Sequence, residues 1–315
     1  MPKLNSGEGI ITESPYTTPE AATLLDRIAS APISWGVCEV PGWGIQLSPE
    51  RVLSEMKSLG ISATELGSLG YLPTDASQLR TMLDEHGLRL TGGFVPLALH
   101  DPGAVVEITR AATESAALLG AVGADYFVTC AVSDPNNWAR PELGPQEWNQ
   151  LVKMLDLVGS IADDHGLVQA IHPHVNSIIE TADEIQRVCE MSPAKWVLDT
   201  GHMAIGGCDP LRFAREFADK VAVTHLKDLR LPIARQLNDG HLTLMGAVQD
   251  GLFPPLGEGD IAITEVIRTL EAAGYNGWYV IEQDVAISGA EPAAGNGPMR
   301  DVEASVTYIR SIEFG

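Results

Sequence analysis

The sequence predicts an α/β protein of the (β/α)8 TIM barrel class. Three observations carry that expectation. Eight apolar, strand-like runs alternate with eight amphipathic helical runs between residues 32 and 315, and strands joined through helices pair in parallel with right-handed crossovers. No break in composition interrupts the alternation, so one domain is expected to span it. The later strand runs end in polar groups, and a parallel barrel gathers such ends on the face where its chemistry resides. A doubly wound open sheet is the runner-up. It normally carries a Gly-rich phosphate loop after an early strand, but here that place reads VCEVPGWGIQL, residues 37–47, which lacks the spacing.

Residues 1–31 read as a polar N-terminal extension rich in Pro, Ser and Thr, with a short helix within TPEAATLLDRIAS, residues 18–30. PISWGV, 32–37, is expected as strand one. The helix over 48–60 takes Ser48 as N-cap, Pro49 at its first position and Gly60 as its stop. Strand two is ATELG, 63–67, followed by a helix over 75–87. Strand three is RLTGGFVPL, 89–97, with a helix over 102–120. Strand four is ADYFVTCAV, 124–132, and the long helix over 144–166 shows apolar residues at 3.6 spacing. VQAIHPH, 168–174, is strand five; its helix over 181–191 is capped by Thr181. KWVLDT, 195–200, is strand six, with a helix over 209–220. VAVTHLKD, 221–228, is strand seven. A long loop, 229–260, precedes the helix over 262–274. GWYVIEQD, 277–284, is strand eight, and a helix over 299–312 closes the barrel at 32–315.

Composition excludes several functions. The net charge of -22 over 315 residues opposes nucleic acid, which needs clustered Lys and Arg, and opposes anionic membranes. No apolar run approaches the ~20 residues that span a bilayer. The N-terminus has no charged-then-apolar signal pattern. Four scattered cysteines without a C-x-x-C pair suit a reducing cytoplasm and argue against a Cys-based zinc site. A homo-oligomer is an open expectation, although no self-complementary surface can be read from the sequence.

Side chains alternate along a strand, so each late run offers apolar filling below and a polar group at the rim. Val221, Val223, His225 and Lys227 share one face; Trp278, Val280, Glu282 and Asp284 another; Val197 and Asp199 a third; Val168, Ala170, His172 and His174 a fourth. Alone, a strand-end His is a hydrogen-bonded rim residue and Asp199 is the N-cap of the next helix. Four strand ends that each offer an imidazole or carboxylate exceed what capping requires. His172, Asp199, His225 and Glu282 are therefore expected to bind one divalent metal: six-coordinate Mn²⁺, Co²⁺ or Mg²⁺, or Zn²⁺ with open positions.

Other groups are expected in the pocket. Glu65 in ATELGSLG is a general base or a ligand for a sugar hydroxyl, or else forms a rim salt bridge. Trp35 is a sugar-facing wall or core. Lys227 and Arg230 hold a carbonyl or anionic oxygen, or are solvated charges. His202, with an ordinary pKa near neutrality, is a candidate proton shuttle. The loop 229–260 reads as a lid that places Phe253 or His241 over the substrate.

PISWG, TELG, LDTGH, THLKD, and GEGDI followed by Y-x-GW-x-V-x-EQD resemble the xylose-isomerase-like barrel superfamily of sugar isomerases, epimerases and dehydratases, over about residue 32 to the end. Within it the chain is most similar to the inosose dehydratases of myo-inositol breakdown. The resemblance implies metal ligands at strand five, Asp199, His225 and Glu282. Many isomerases and epimerases of the group supply a Glu from strand five; here that run has no carboxylate, and the ligand is His172 or His174, with His172 preferred. Epimerases of the group use two metal-bound carboxylates as acid and base, a pair of which this chain keeps only Glu282.

The resemblance implies a metal-dependent lyase acting on a keto-cyclitol or keto-sugar by β-elimination. Glu65, His202 or Glu282 would be the base, His174 or His202 the acid, with Lys227 stabilising negative charge. The alternatives are a ketose (phosphate) isomerase or epimerase, a keto-glycoside-cleaving lyase, and a non-catalytic sugar-binding protein.

Overall fold

The computed structural model describes residues 23–135 and 138–314. Its strands are β1 (Ile28–Ser30), β2 (Ala63–Thr64), β3 (Arg89–Leu90), β4 (Gly92–Leu97), β5 (Tyr126–Ala131), β6 (Val168–Ile171), β7 (Lys195–Asp199), β8 (Val221–Leu226) and β9 (Tyr279–Ile281). All their pairings are parallel, in the order β3-β2-β1-β9-β8-β7-β6-β5-β4. β3 and β4 flank Thr91, which bonds to Thr64 on one side and to Asp125 and Tyr126 on the other. They are two halves of the expected third strand, and the sheet closes through them into an eight-stranded barrel.

Strand one is displaced from its expected place. Pro32–Trp35 forms a 3-10 turn, closed by Gly36 at φ 83°. The first strand is β1, whose Ala29 pairs with Ala63 and Val280. It lies within the segment read as an extension. The helix expected over 18–30 falls partly outside the described residues; its described part is a 3-10 turn, Leu24–Arg27, running into β1. The rest of the expected extension, residues 1–22, lies outside the described residues.

The helices are α1 (Pro49–Ser58), α2 (Ala76–His86), α3 (Val105–Ala121), α4 (Pro145–Asp164), α5 (Ala182–Met191), α6 (Thr200–Ile205), α7 (Pro210–Phe217), α8 (Leu231–Asn238), α9 (Leu244–Gln249), α10 (Ile263–Ala272) and α11 (Pro298–Arg310). Their starts follow the caps in the sequence. Ser48 accepts from the amide of Arg51, and Thr181 forms a reciprocal capping box with Glu184. A large apolar core separates helices from strands. A smaller one fills the barrel with Ala29, Ala63, Val128, Ala170, Val197, Val223 and Val280. These small side chains suit the narrow interior of a closed eight-stranded sheet.

One irregularity sets the register on which the upper rim depends. Trp196 pairs with Val221, but Val197 pairs with Val223, so Ala222 is bulged out of the β7–β8 ladder. A bulge flips the alternation of faces. Val221, expected inside the barrel, consequently lies in the outer core, while Val223 lies inside. Beyond the bulge Asp199 stands opposite His225. Val168 also departs from its expected inward place and is 46% exposed.

The segment 229–260 is not a plain loop: it carries two short helices, α8 and α9. With Trp43, Val175, Ile205 and Ala286 it makes a separate small apolar core. Asp228 staples the end of this cap: its carboxylate accepts from the amides of Leu229, Gly257, Gly259 and Ile261. No helix among the described residues is long and apolar enough to cross a membrane.

Candidate functional site

The strand ends converge as their positions require. His172, Asp199, His225 and Glu282 each present one ligand-type atom, and these four atoms lie within 4.8 Å of one another. His172 Nε2 is 3.1 Å from His225 Nδ1 and 3.5 Å from Asp199 Oδ2. Glu282 Oε2 is 2.8 Å from His225 Nδ1. Asp199 Oδ2 and Glu282 Oε2 are both buried, and beyond the imidazoles the nearby cation is Lys227 Nζ, at 3.6 and 3.1 Å. Burying carboxylates is costly unless positive charge pairs with them. Two imidazoles and two carboxylates facing a common point fit a divalent cation, which satisfies all four at once.

Two of the four residues are oriented by a second contact. His225 Nε2 donates to Glu65 Oε1 at 2.9 Å, leaving Nδ1 for the common point. Asp199 is the expected cap of α6, its Oδ1 accepting the amide of His202 at 2.7 Å, and its Oδ2 lies with the cluster. Thr200 Oγ1 accepts from the amide of Lys227 and so joins the ends of β7 and β8. Of the two strand-five histidines, His172 enters the cluster. His174 lies beside it, with Nδ1 2.7 Å from the carbonyl of Val175 and its ring 3.9 Å from that of His202, centroid to centroid.

Lys227 is the other centre of charge. It is 1% exposed, and its Nζ lies 2.7 Å from Asp284 Oδ1, 3.0 Å from His202 Nε2, 3.1 Å from Glu282 Oε2 and 3.6 Å from Asp199 Oδ2. Gly201 is what admits the stem: a Cβ there would lie 2.8 Å from Lys227 Cγ. Burial opposes charge on Lys227, but Asp199, Asp284 and Glu282 outweigh it and raise its pKa, so it stays an ammonium. Burial, His174 and Lys227 hold His202 well below the ordinary histidine value. Burial, with His172 and Lys227, lowers His174 to about 3. Both rings are therefore neutral. Burial pushes Asp284 up to about 6, against the pull of Lys227.

The remaining expected residues fall as follows. Trp35 does not face the pocket: it is fully buried in the outer core and donates from Nε1 to Glu55 at 2.7 Å. Arg230 Nη1 donates to the carbonyl of Gly251 within the cap, at 2.7 Å, instead of reaching the cluster. Phe253 does roof the site, 5.1 Å from Lys227 Nζ and 6.0 Å from the His202 ring. His241 is exposed on the cap. Sequence reasoning gave no role to Asp284, although the alternation past Glu282 placed it on the same face. It also missed Phe94 and Trp138, whose rings adjoin His174 at 6.0 and 5.0 Å. Trp138 sits in irregular chain after β5, where no periodicity announces it.

Comparisons with known proteins bear on the fold and the family. A family model described as "Xylose isomerase-like TIM barrel" matches residues 53–311. The inosose dehydratase of Geobacillus kaustophilus (strain HTA426) is 32% identical over 276 residues, 83% of this chain and 89% of that one. The rhizopine catabolism protein MocC of Rhizobium meliloti is 30% identical over 275 residues, 84% of each chain. A crystal structure of IolI protein with a bound zinc atom shares the fold at TM-score 0.67 and 13% identity, covering 91% of this chain and 99% of that one. The chain belongs to the xylose isomerase-like TIM barrel family.

Proposed function

We propose that this protein is a divalent-metal-dependent carbon–oxygen lyase of the inosose dehydratase type, removing water from a keto-cyclitol by β-elimination. The observation that carries it is the convergence of Asp199, Glu282, His172 and His225, whose ligand-type atoms lie within 4.8 Å of one another, next to two neutral histidines. The likeness to inosose dehydratases supports the substrate class. His172, Asp199, His225 and Glu282 hold the ion, with Mn²⁺ or Co²⁺ favoured and Mg²⁺ or Zn²⁺ compatible with the same donors. When bound, it supplies Lewis acidity, polarising a ketone and acidifying the adjacent C–H.

The chain's own groups move the protons. His174 keeps its proton on Nδ1, bonded to the carbonyl of Val175, so Nε2 has a free lone pair and acts as the base. His202 Nε2 accepts from Lys227, so Nδ1 carries the proton, and this buried Nδ1–H has no partner among the described residues. It donates a hydrogen bond to the departing β-hydroxyl, and the C–H proton taken up by His174 is passed to that hydroxyl, which leaves as water. The two rings stand 3.9 Å apart, so base and hydrogen-bond donor act on neighbouring atoms of the substrate. Glu65 positions His225, and Phe253 excludes water from above. Lys227 stays charged and stabilises the negative charge that develops on the substrate. A two-carboxylate epimerisation fits less well, because strand five contributes His172 where that mechanism uses a Glu.

The four cysteines are free, which suits a cytoplasmic enzyme of small-molecule metabolism. Mass spectrometry of Mn²⁺- or Co²⁺-loaded protein with 2-keto-myo-inositol, ketoses and 3-keto-glycosides tests the reading. Chelator-sensitive loss of water from the inosose is expected. Loss of an aglycone would move the substrate to a keto-glycoside. A product of unchanged mass would make the enzyme an isomerase or epimerase. Binding without turnover would overturn the enzyme reading.

A further inference from the structure

Lys227 poses a problem for the site it adjoins. An ammonium has three N–H donors. Two of its neighbours, Glu282 Oε2 and Asp199 Oδ2, are the oxygens that face the metal position. A buried cation on those lone pairs competes with a metal ion for them and repels it. The shortest of its contacts lies elsewhere, at Asp284 Oδ1 2.7 Å away, and Asp284 offers no atom to the four-residue cluster. The three carboxylates around Lys227, less its own charge, leave two negative charges, which a divalent ion cancels.

We propose that Asp284 is a positioning residue that holds the Lys227 ammonium to one side, keeping Asp199 and Glu282 available to a divalent metal. This rests on the metal-site reading above and extends it: a lysine and a dication share one pair of carboxylates only because a third carboxylate takes the lysine. Glu282 and Asp284 stand two residues apart and thus on one face, so the same end of β9 supplies both the ligand and the group that frees it.

The test is calorimetric titration of chelator-stripped protein with Mn²⁺ and Co²⁺, with the visible spectrum of the Co²⁺ form, for wild type, Asp284→Asn, Lys227→Met and the double variant. Asp284→Asn is expected to raise the metal Kd on the order of 10–100-fold, the usual loss for an outer partner of a metal site. Lys227→Met removes the competing charge and is expected not to weaken binding. In the double variant affinity is expected to return to within about threefold of wild type, the pair being strongly coupled. Circular dichroism in chelator checks that each variant is folded. An unchanged Kd in Asp284→Asn overturns the proposal. So does a double variant as weak as Asp284→Asn, which would make the aspartate's role one of packing. Wild type that binds neither ion removes the metal reading and this inference with it. Normal metal binding without turnover of the inosose would remove only the reaction.

Discussion

His225 reaches across the barrel to Glu65, 160 residues earlier in the chain, and donates from Nε2 to Oε1 at 2.9 Å. Both side chains are buried. The contact fixes which ring nitrogen faces the metal position. Glu65→Ala is therefore expected to weaken metal binding by about 10–100-fold. Glu65→Gln, which keeps an acceptor oxygen, is expected to lose less. Titration of stripped protein with Co²⁺ checks both; equal affinity in all three proteins would show that His225 is oriented by packing alone.

Charge on the same imidazole links stability to pH and, on the proposed metal site, links metal affinity to pH as well. Burial opposes charge on His225, but Glu282 and Glu65 outweigh it and raise its pKa well above the ordinary value. A raised folded pKa adds stability that is complete below the unfolded value, about 6.5, and is lost as pH rises through the folded one. A metal ion needs the neutral ring. The metal-free protein is expected to lose stability from neutral towards alkaline pH, while the stabilisation given by added metal grows over that interval. Thermal melts with and without chelator measure both trends, and a metal-induced shift that ignores pH would contradict the assignment.

Gly201 leaves room for the Lys227 stem, with the nearest atom 2.8 Å from where a Cβ would stand. Gly201→Ala is expected to displace the ammonium from His202 and to reduce kcat by about 100-fold, the scale associated with an ångström of misplacement. Steady-state kinetics with the turned-over substrate tests this. Retained kcat would show that the amine tolerates movement.

Trp35 has a structural role. It is fully buried and bonded to Glu55, so Trp35→Ala is expected to lower stability by about 3–5 kcal/mol. Urea unfolding measures the loss. Metal affinity of the folded variant is expected to match wild type; a selective loss of metal binding would return Trp35 to the site.

The sequence disclosed much of this architecture because the chemistry sits on strands. A period of two marks which residues share a face, and a run that ends polar marks the rim. That was enough to bring His172, Asp199, His225 and Glu282 together from four separate runs. It failed where geometry is not periodic. PISWGV is apolar and β-like, yet Pro32 and Gly36 make it a turn, and the shorter IAS before it forms the strand. The bulge at Ala222 leaves no compositional trace, so Val221 was placed on the wrong face. Contacts of Arg230 and Trp35 depend on partners distant in sequence, Gly251 and Glu55, which no local pattern identifies.

The pairing of β1 with β9 has a consequence for how the protein is made. Ile28 lies beside Tyr279 and Ser30 beside Ile281, so the first and last strands are neighbours only after nearly the whole chain exists. Glu282 follows directly on that final strand. A growing chain can assemble the earlier β/α units, but it exposes an unpaired edge at β1 until the last strand arrives. His172, Asp199 and His225 are synthesised well before their fourth companion. Assembly of the four-residue cluster thus belongs to the end of biosynthesis, and a chain cut short before residue 279 lacks the closing strand and one member of the cluster together.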